Sequence, residues 1–99
     1  NVYSTKYFLN GLLHREDGPA ATWCYDNDNI EREEYFYNGQ KHRNDGPAMI
    51  SYFFDKSIHN IEYYLNDKNI SKNKLVNLDI NPHNYPFNKN DMTKVKMTF

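Results

Sequence analysis

The sequence predicts an all-β fold, an antiparallel meander of stacked β-hairpin repeats with a 28-residue period, a short C-terminal helix and an irregular tail. Three observations carry this reading. The stretch Asn10 to Ala20, reading Asn-Gly-Leu-Leu-His-Arg-Glu-Asp-Gly-Pro-Ala, returns from Asn38 to Ala48 as Asn-Gly-Gln-Lys-His-Arg-Asn-Asp-Gly-Pro-Ala. Residues 10–37 lie over 38–65 without a gap, and 11 of the 28 positions are identical. Each Asn-Gly pair follows a β-branched and aromatic run and tolerates the positive φ of a type I′ turn, the strongest short signal for a hairpin. A third copy begins at Asn66-Asp67 and departs from the pattern at once, as terminal units do when they close a stack.

Taken in order, residues 2–9 read as a strand that runs into the Asn10-Gly11 turn, and they align with 30–37. The chain therefore opens inside a repeat, which raises the expectation of an upstream copy in a longer parent protein. After Leu12-Leu13-His14-Arg15-Glu16, the run Asp17-Gly18-Pro19 predicts a bend or bulge, because Pro fixes its own φ, lacks a donor and pushes the preceding residue away from the helical region. Asp17 is placed to cap it. Ala20 to Tyr25 reads as the next strand, and Asp26-Asn27-Asp28-Asn29 as a turn of residues that bond their own backbone. The second copy repeats the plan: strand 30–37, turn Asn38-Gly39, bend Asp45-Gly46-Pro47, strand Ala48 to Phe54, a turn near Asp55-Lys56-Ser57, and strand 58–65.

Alternation places Ile61, Tyr63 and Leu65 on one face, in register with Glu33, Tyr35 and Tyr37 and with Thr5, Tyr7 and Leu9. A core ladder of Tyr7, Leu9, Tyr35, Tyr37, Tyr63 and Leu65 is the expectation. In the third copy Ser71 is a good N-cap, and Ile70, Leu75 and Leu78 fall near one helical face, which predicts a helix over about 72–78. Residues 81–88 read as loop, and the weak alternation of Met92 to Phe99 suggests an edge strand protected by its lysines. The chain is read as one domain over 1–99, with hairpin repeats at 1–67, a helical cap at 68–80 and a tail at 81–99.

Composition narrows the function classes. The formal net charge is −1, which is no signature of a nucleic-acid binder, although residues 1–67 sum to −5 and residues 68–99 to +4. The lone Cys24 excludes an internal disulfide framework and favours a reducing compartment. No apolar run approaches the ~20 residues of a bilayer span, and Asn1 to Lys6 has no apolar signal-peptide core. The expected setting is intracellular, in a host cytoplasm, or virion-associated. Fifteen Asn, nine Tyr and six Phe give the bias that AT-rich codons supply, pointing to a virus, a phage or an AT-rich microbe.

The pattern Tyr-x-x-Asn-Gly-x-x-His-Arg-x-Asp-Gly-Pro-Ala, at 7–20 and 35–48, resembles the MORN-like hairpin repeats of bacterial proteins, phages and large DNA viruses. The segment Tyr64-Leu65-Asn66-Asp67-Lys68-Asn69-Ile70-Ser71 is similar to the ending of those arrays. The resemblance implies an all-β hairpin array with a binding or scaffolding role and without catalysis. Typical MORN units are shorter and richer in Gly, so their lipid association is not carried over.

Two groups of residues are candidates for a site. His14, Arg15 and Asp17, echoed by His42, Arg43 and Asp45, form a polar strip. Its structural reading is an Asp-capped bend, an Arg fork donating to Asp, and a His packed over the turn with one nitrogen bonded. Its functional reading is a recognition edge, with metal or catalytic use as the alternative; no CxxC or HxxxH spacing favours a metal, and no cofactor is expected. The second group is an aromatic and acidic surface made by Phe8, Phe36, Tyr64, Tyr52 and Phe54 with Glu31 and Glu33. Sixteen aromatics are more than one sheet face hides; either the tail covers the surplus, or a patch is left to bind a protein. Glu34, Asp26 and Asp28 extend its acidic side, fit to steer a basic partner or to solvate the strand. The expected partner is a host or virion protein, with self-association next, and neither nucleic acid nor membrane. Within that class the sequence leaves a structural scaffold and an inhibitor of a host protein open, with a small enzyme as the remaining alternative.

Overall fold

The computed structural model describes residues 2–98, with side chains from Tyr3 to Lys96. The chain is β-rich, mostly antiparallel, and closes on short helices. The strands are β1 (Val2–Lys6), β2 (Phe8–Leu9), β3 (Leu12–Leu13), β4 (Ala21–Tyr25), β5 (Ile30–Glu34), β6 (Phe36–Tyr37), β7 (Gln40–Lys41), β8 (Met49–Tyr52), β9 (Ile58–Leu65) and β10 (Lys68–Ile70). Helices α1 (Lys72–Asn77) and α2 (Lys89–Thr98) follow. Among the described residues one sheet runs β1-β4-β5-β8-β9-β10, and β2-β3 and β6-β7 form separate two-stranded hairpins.

Turn chemistry fixes these hairpins. Asn10, Gly11, Asn38 and Gly39 have φ of 52, 80, 50 and 82°, the doubly positive pair that a two-residue type I′ turn requires. Asn66 and Asp67 follow at 49 and 68°, so the departing third copy still turns in the same way. The strands expected over 2–9 and 30–37 are each interrupted, at Tyr7 and Tyr35. The cause is local. The Tyr7 N–H donates to the Ala20 carbonyl at 2.8 Å while the Tyr7 carbonyl accepts from the His14 N–H at 3.0 Å; the corresponding Tyr35 bonds, to Ala48 and from His42, are 2.7 and 3.0 Å. Each Tyr is where the chain passes from the main sheet into its hairpin.

Register explains the core. Cα partners run across the sheet as Thr5, Thr22, Glu33, Ile50 and Ile61, and on the opposite face as Lys6, Ala21, Glu34, Met49 and Glu62. Only one end of the first row is apolar, and there Ile50, Ile61, Tyr63, Leu65 and Ile70 meet Leu75, Ile80 and Val95 of the C-terminal segment. The expected six-residue ladder is therefore core only at Tyr63 and Leu65. Tyr7, Leu9 and Tyr37 are 42, 49 and 46 % exposed, because the covering layer ends before it reaches their hairpins.

Ser71 caps α1 as its chemistry predicts, its hydroxyl accepting from the Lys74 N–H. The edge strand expected over Met92 to Phe99 is instead α2, with Phe99 outside the described residues. Asn88 starts this helix by accepting from the Asp91 N–H at 2.8 Å, and Met92 and Val95, three apart, share its inward side. Val95 is 2 % exposed, a burial that a charged edge strand would not give it. Among the described residues no helix is long and apolar enough to cross a membrane.

Candidate functional site

The polar strip is built the same way at two levels. Arg15 lies over the Tyr7 ring at 4.3 Å, and Arg43 over Tyr35 at 4.1 Å. The Arg15 Nε donates to Asp17 Oδ1 at 3.0 Å and its Nη1 to the Pro19 carbonyl at 3.3 Å; for Arg43 the corresponding bonds to Asp45 and Pro47 are 3.1 and 3.2 Å. Gly18 and Gly46 lie beneath these guanidiniums, where an added Cβ would stand 3.1 and 3.0 Å from the Arg Cζ and would push the guanidinium aside by a few tenths of an ångström. Each loop is thus folded around its own arginine.

The histidines tie one level to the next. His14 Nδ1 accepts from the Asn38 N–H at 3.0 Å, and His42 Nδ1 accepts from the Asn66 N–H at 3.0 Å. An imidazole that accepts at Nδ1 is neutral and carries its proton on Nε2. Alongside, the Gly39 and Asp67 N–H groups donate to the Leu13 and Lys41 carbonyls at 2.8 and 2.9 Å, and the Arg15 and Arg43 N–H groups to the Phe36 and Tyr64 carbonyls at 3.3 and 3.2 Å. Tyr37 stands between the imidazoles, its ring 4.6 Å from His14 and 6.2 Å from His42. Desolvation is the larger of the causes that hold His42 below the ordinary histidine range, and the Lys96 ammonium adds to it against a hydrogen bond with Asn44.

The structure therefore brings all six polar candidates to one edge, where Arg15, Asp17, His42, Arg43 and Asp45 line an open groove of about 570 Å³. It also occupies part of their chemistry. Both imidazole Nδ1 atoms and one oxygen of each Asp carboxylate are engaged by the bonds above, and among the described residues no three of His, Cys, Asp and Glu converge as a metal site. Sequence reasoning did not find the backbone N–H that donates to each His, nor the Tyr beneath each Arg. The signal was available in Tyr7 and Tyr35, which stand at matching places of the two copies.

The aromatic candidates separate. Phe8 and Phe54 are 61 and 60 % exposed, whereas Phe36, Tyr64 and Tyr52 are half-buried. Tyr52, expected to face away from the core, packs against it and donates to Glu33 Oε1 at 2.7 Å. Burial first, and that carboxylate second, push its hydroxyl pKa well up. Glu33 is thereby committed, and Glu34, one residue on, faces the other side beside Lys41 at 3.6 Å. Glu31 is half-buried at the register shift between β4 and β5, and Asp28 accepts from Tyr3 at 2.5 Å. That bond, the first of several causes, pushes the Tyr3 pKa up to about 12. The expected acidic strip is thus distributed over both faces rather than gathered in one.

What remains open is apolar. At the end of the strands that carries the 26–29 and 53–57 turns, Phe53, Ile30 and Ile58 are exposed by 50, 37 and 46 %; Phe54 touches Tyr25 edge-on at 5.2 Å, and its carbonyl accepts from the Asn29 side chain at 3.1 Å. At the opposite end of the strands Phe8, Leu9 and Leu12 are about half exposed on the first hairpin. Comparison with protein-family models, with characterised proteins and with solved structures gives no significant match.

Proposed function

We propose that the chain is a non-catalytic protein-binding module of phage or viral origin, an array of stacked hairpin units on a 28-residue period that presents apolar side chains to a protein partner. The observation that carries this reading is the pair of exposed apolar groups, Phe53-Phe54 with Ile30 and Ile58 at one end and Phe8, Leu9 and Leu12 at the other. Large apolar groups gathered on a soluble surface mark interaction sites, and aromatics anchor interfaces. The alternative, catalytic or metal use of the His and Asp residues, is disfavoured because the imidazole lone pairs and the carboxylates serve bonds that fold the loops.

A scaffold and an inhibitor of a host protein are the two forms of this function. Size-exclusion chromatography with light scattering separates them: a scaffold assembles as concentration rises, and an inhibitor stays monomeric and is recovered with one host protein. The binding claim itself is tested by Phe54→Ser and Phe8→Ser in such a recovery experiment. Loss of the partner with an unchanged melting temperature supports the module; retention of the partner by both variants rejects this surface.

A further inference from the structure

We infer that the outer edge of β1 and the β2–β3 hairpin is a docking site for a polypeptide segment carrying the same His-Arg-x-Asp-Gly-Pro-Ala loop. The inference rests on the binding function proposed above and names the chemistry of one partner. Its basis is the joint made twice within the chain. At the second hairpin the Asn38 and Gly39 N–H groups and the Phe36 carbonyl are engaged by His14 Nδ1, the Leu13 carbonyl and the Arg15 N–H. At the third, Asn66, Asp67 and Tyr64 use the corresponding groups on His42, Lys41 and Arg43.

The first hairpin presents the same three groups, the Asn10 N–H, the Gly11 N–H and the Phe8 carbonyl, on a turn with the same φ pair. Among the described residues none engages them. Beside them, among the described residues, β1 pairs only with β4, whereas the corresponding strand β5 is bonded on both sides. The Glu34 carbonyl shows what the open side is for, since it accepts from the Ala20 N–H at 2.9 Å; Lys6 stands at the corresponding place of the first unit. An unpaired strand edge is a template for strand addition, and a preformed turn lowers the ordering cost of binding there. A second copy of this chain is the poorer occupant. Its own His14 and His42 already accept from Asn38 and Asn66, so it has no loop to give without unfolding.

The test titrates the ¹⁵N-labelled full chain with a synthetic peptide of residues 12–25, which carries one loop and its following strand. Saturable shifts centred on the Asn10 and Gly11 amides are expected, with slowed exchange of both. The same peptide with His14→Phe is expected to bind about tenfold more weakly, the value of one well-placed hydrogen bond. In the protein, Lys6→Pro replaces the backbone N–H next to the Lys6 carbonyl by a ring on an edge strand, a position that tolerates Pro, and is expected to weaken strand addition there with the sheet intact. Should that variant fold poorly, the His14→Phe peptide decides alone. No shift at Asn10 and Gly11, equal binding of both peptides, or self-association of the chain through this edge overturns the inference. Failure of the peptide while Phe54-dependent partner recovery persists removes the docking edge and leaves the binding function standing.

Discussion

At the residue scale the repeated loop is explained by lone pairs and donors. His42 must be neutral at Nδ1 to receive the Asn66 N–H, and its pKa in the folded chain is lowered by burial and by Lys96. The unfolded chain, with an ordinary histidine near 6.5, therefore binds more protons than the folded one below that pH. Stability is full above the unfolded value and is lost as pH falls through the folded one. Urea melts between pH 7 and pH 5 are expected to show this loss, and His42→Gln to flatten it. Tyr63 makes the converse point. It is 2 % exposed, its hydroxyl has no hydrogen-bond partner among the described residues, and burial pushes its pKa up. An orphaned hydroxyl costs about 1–3 kcal/mol, so Tyr63→Phe is expected to leave the melting temperature unchanged or to raise it; a clear fall would reveal a hidden partner.

At the element scale the sequence was most legible where backbone chemistry is local. Asn-Gly announced both hairpins and Ser71 announced α1, because φ preference and capping depend on one or two residues. Gly39→Ala puts a Cβ at φ 82°, 3.3 Å from Leu12 Cδ2, and is expected to cost about 1 kcal/mol in chemical denaturation. The tail was less legible. Met92 to Phe99 satisfies a period of two as well as a helical one, and the cap that decides between them is Asn88, outside the run. The breaks at Tyr7 and Tyr35 were hidden for a related reason: they follow from bonds to Ala20, His14, Ala48 and His42, distant in the chain.

At the scale of the whole molecule the decisive feature is where the second layer ends. The body is 40 × 35 × 18 Å, thin enough that one sheet carries most of it. Thr5, Glu33 and Ile61 stand at matching places in successive units, and the change from polar to apolar marks where the tail lands, a clue readable in the sequence once the units are aligned. At the last unit Ser71 and Ile70 replace Arg and His; Phe87 stacks on Tyr63 at 5.8 Å, and its N–H donates to the Asp45 carbonyl at 2.6 Å. The tail thus covers the final hairpin and grips the second loop, while the first hairpin and the Phe54 end stay exposed. On this account the His-Arg-Asp loops hold hairpins together, and the binding proposed for the chain falls to the open surfaces. The most direct test is the melting temperature of the full chain carrying both His14→Ala and His42→Ala, measured with partner binding. Loss of two joint bonds, about 2 kcal/mol in total, predicts a fall of roughly 10 °C with binding by the remaining folded protein retained. An unchanged melting temperature with binding lost would contradict the account and make the histidines the site.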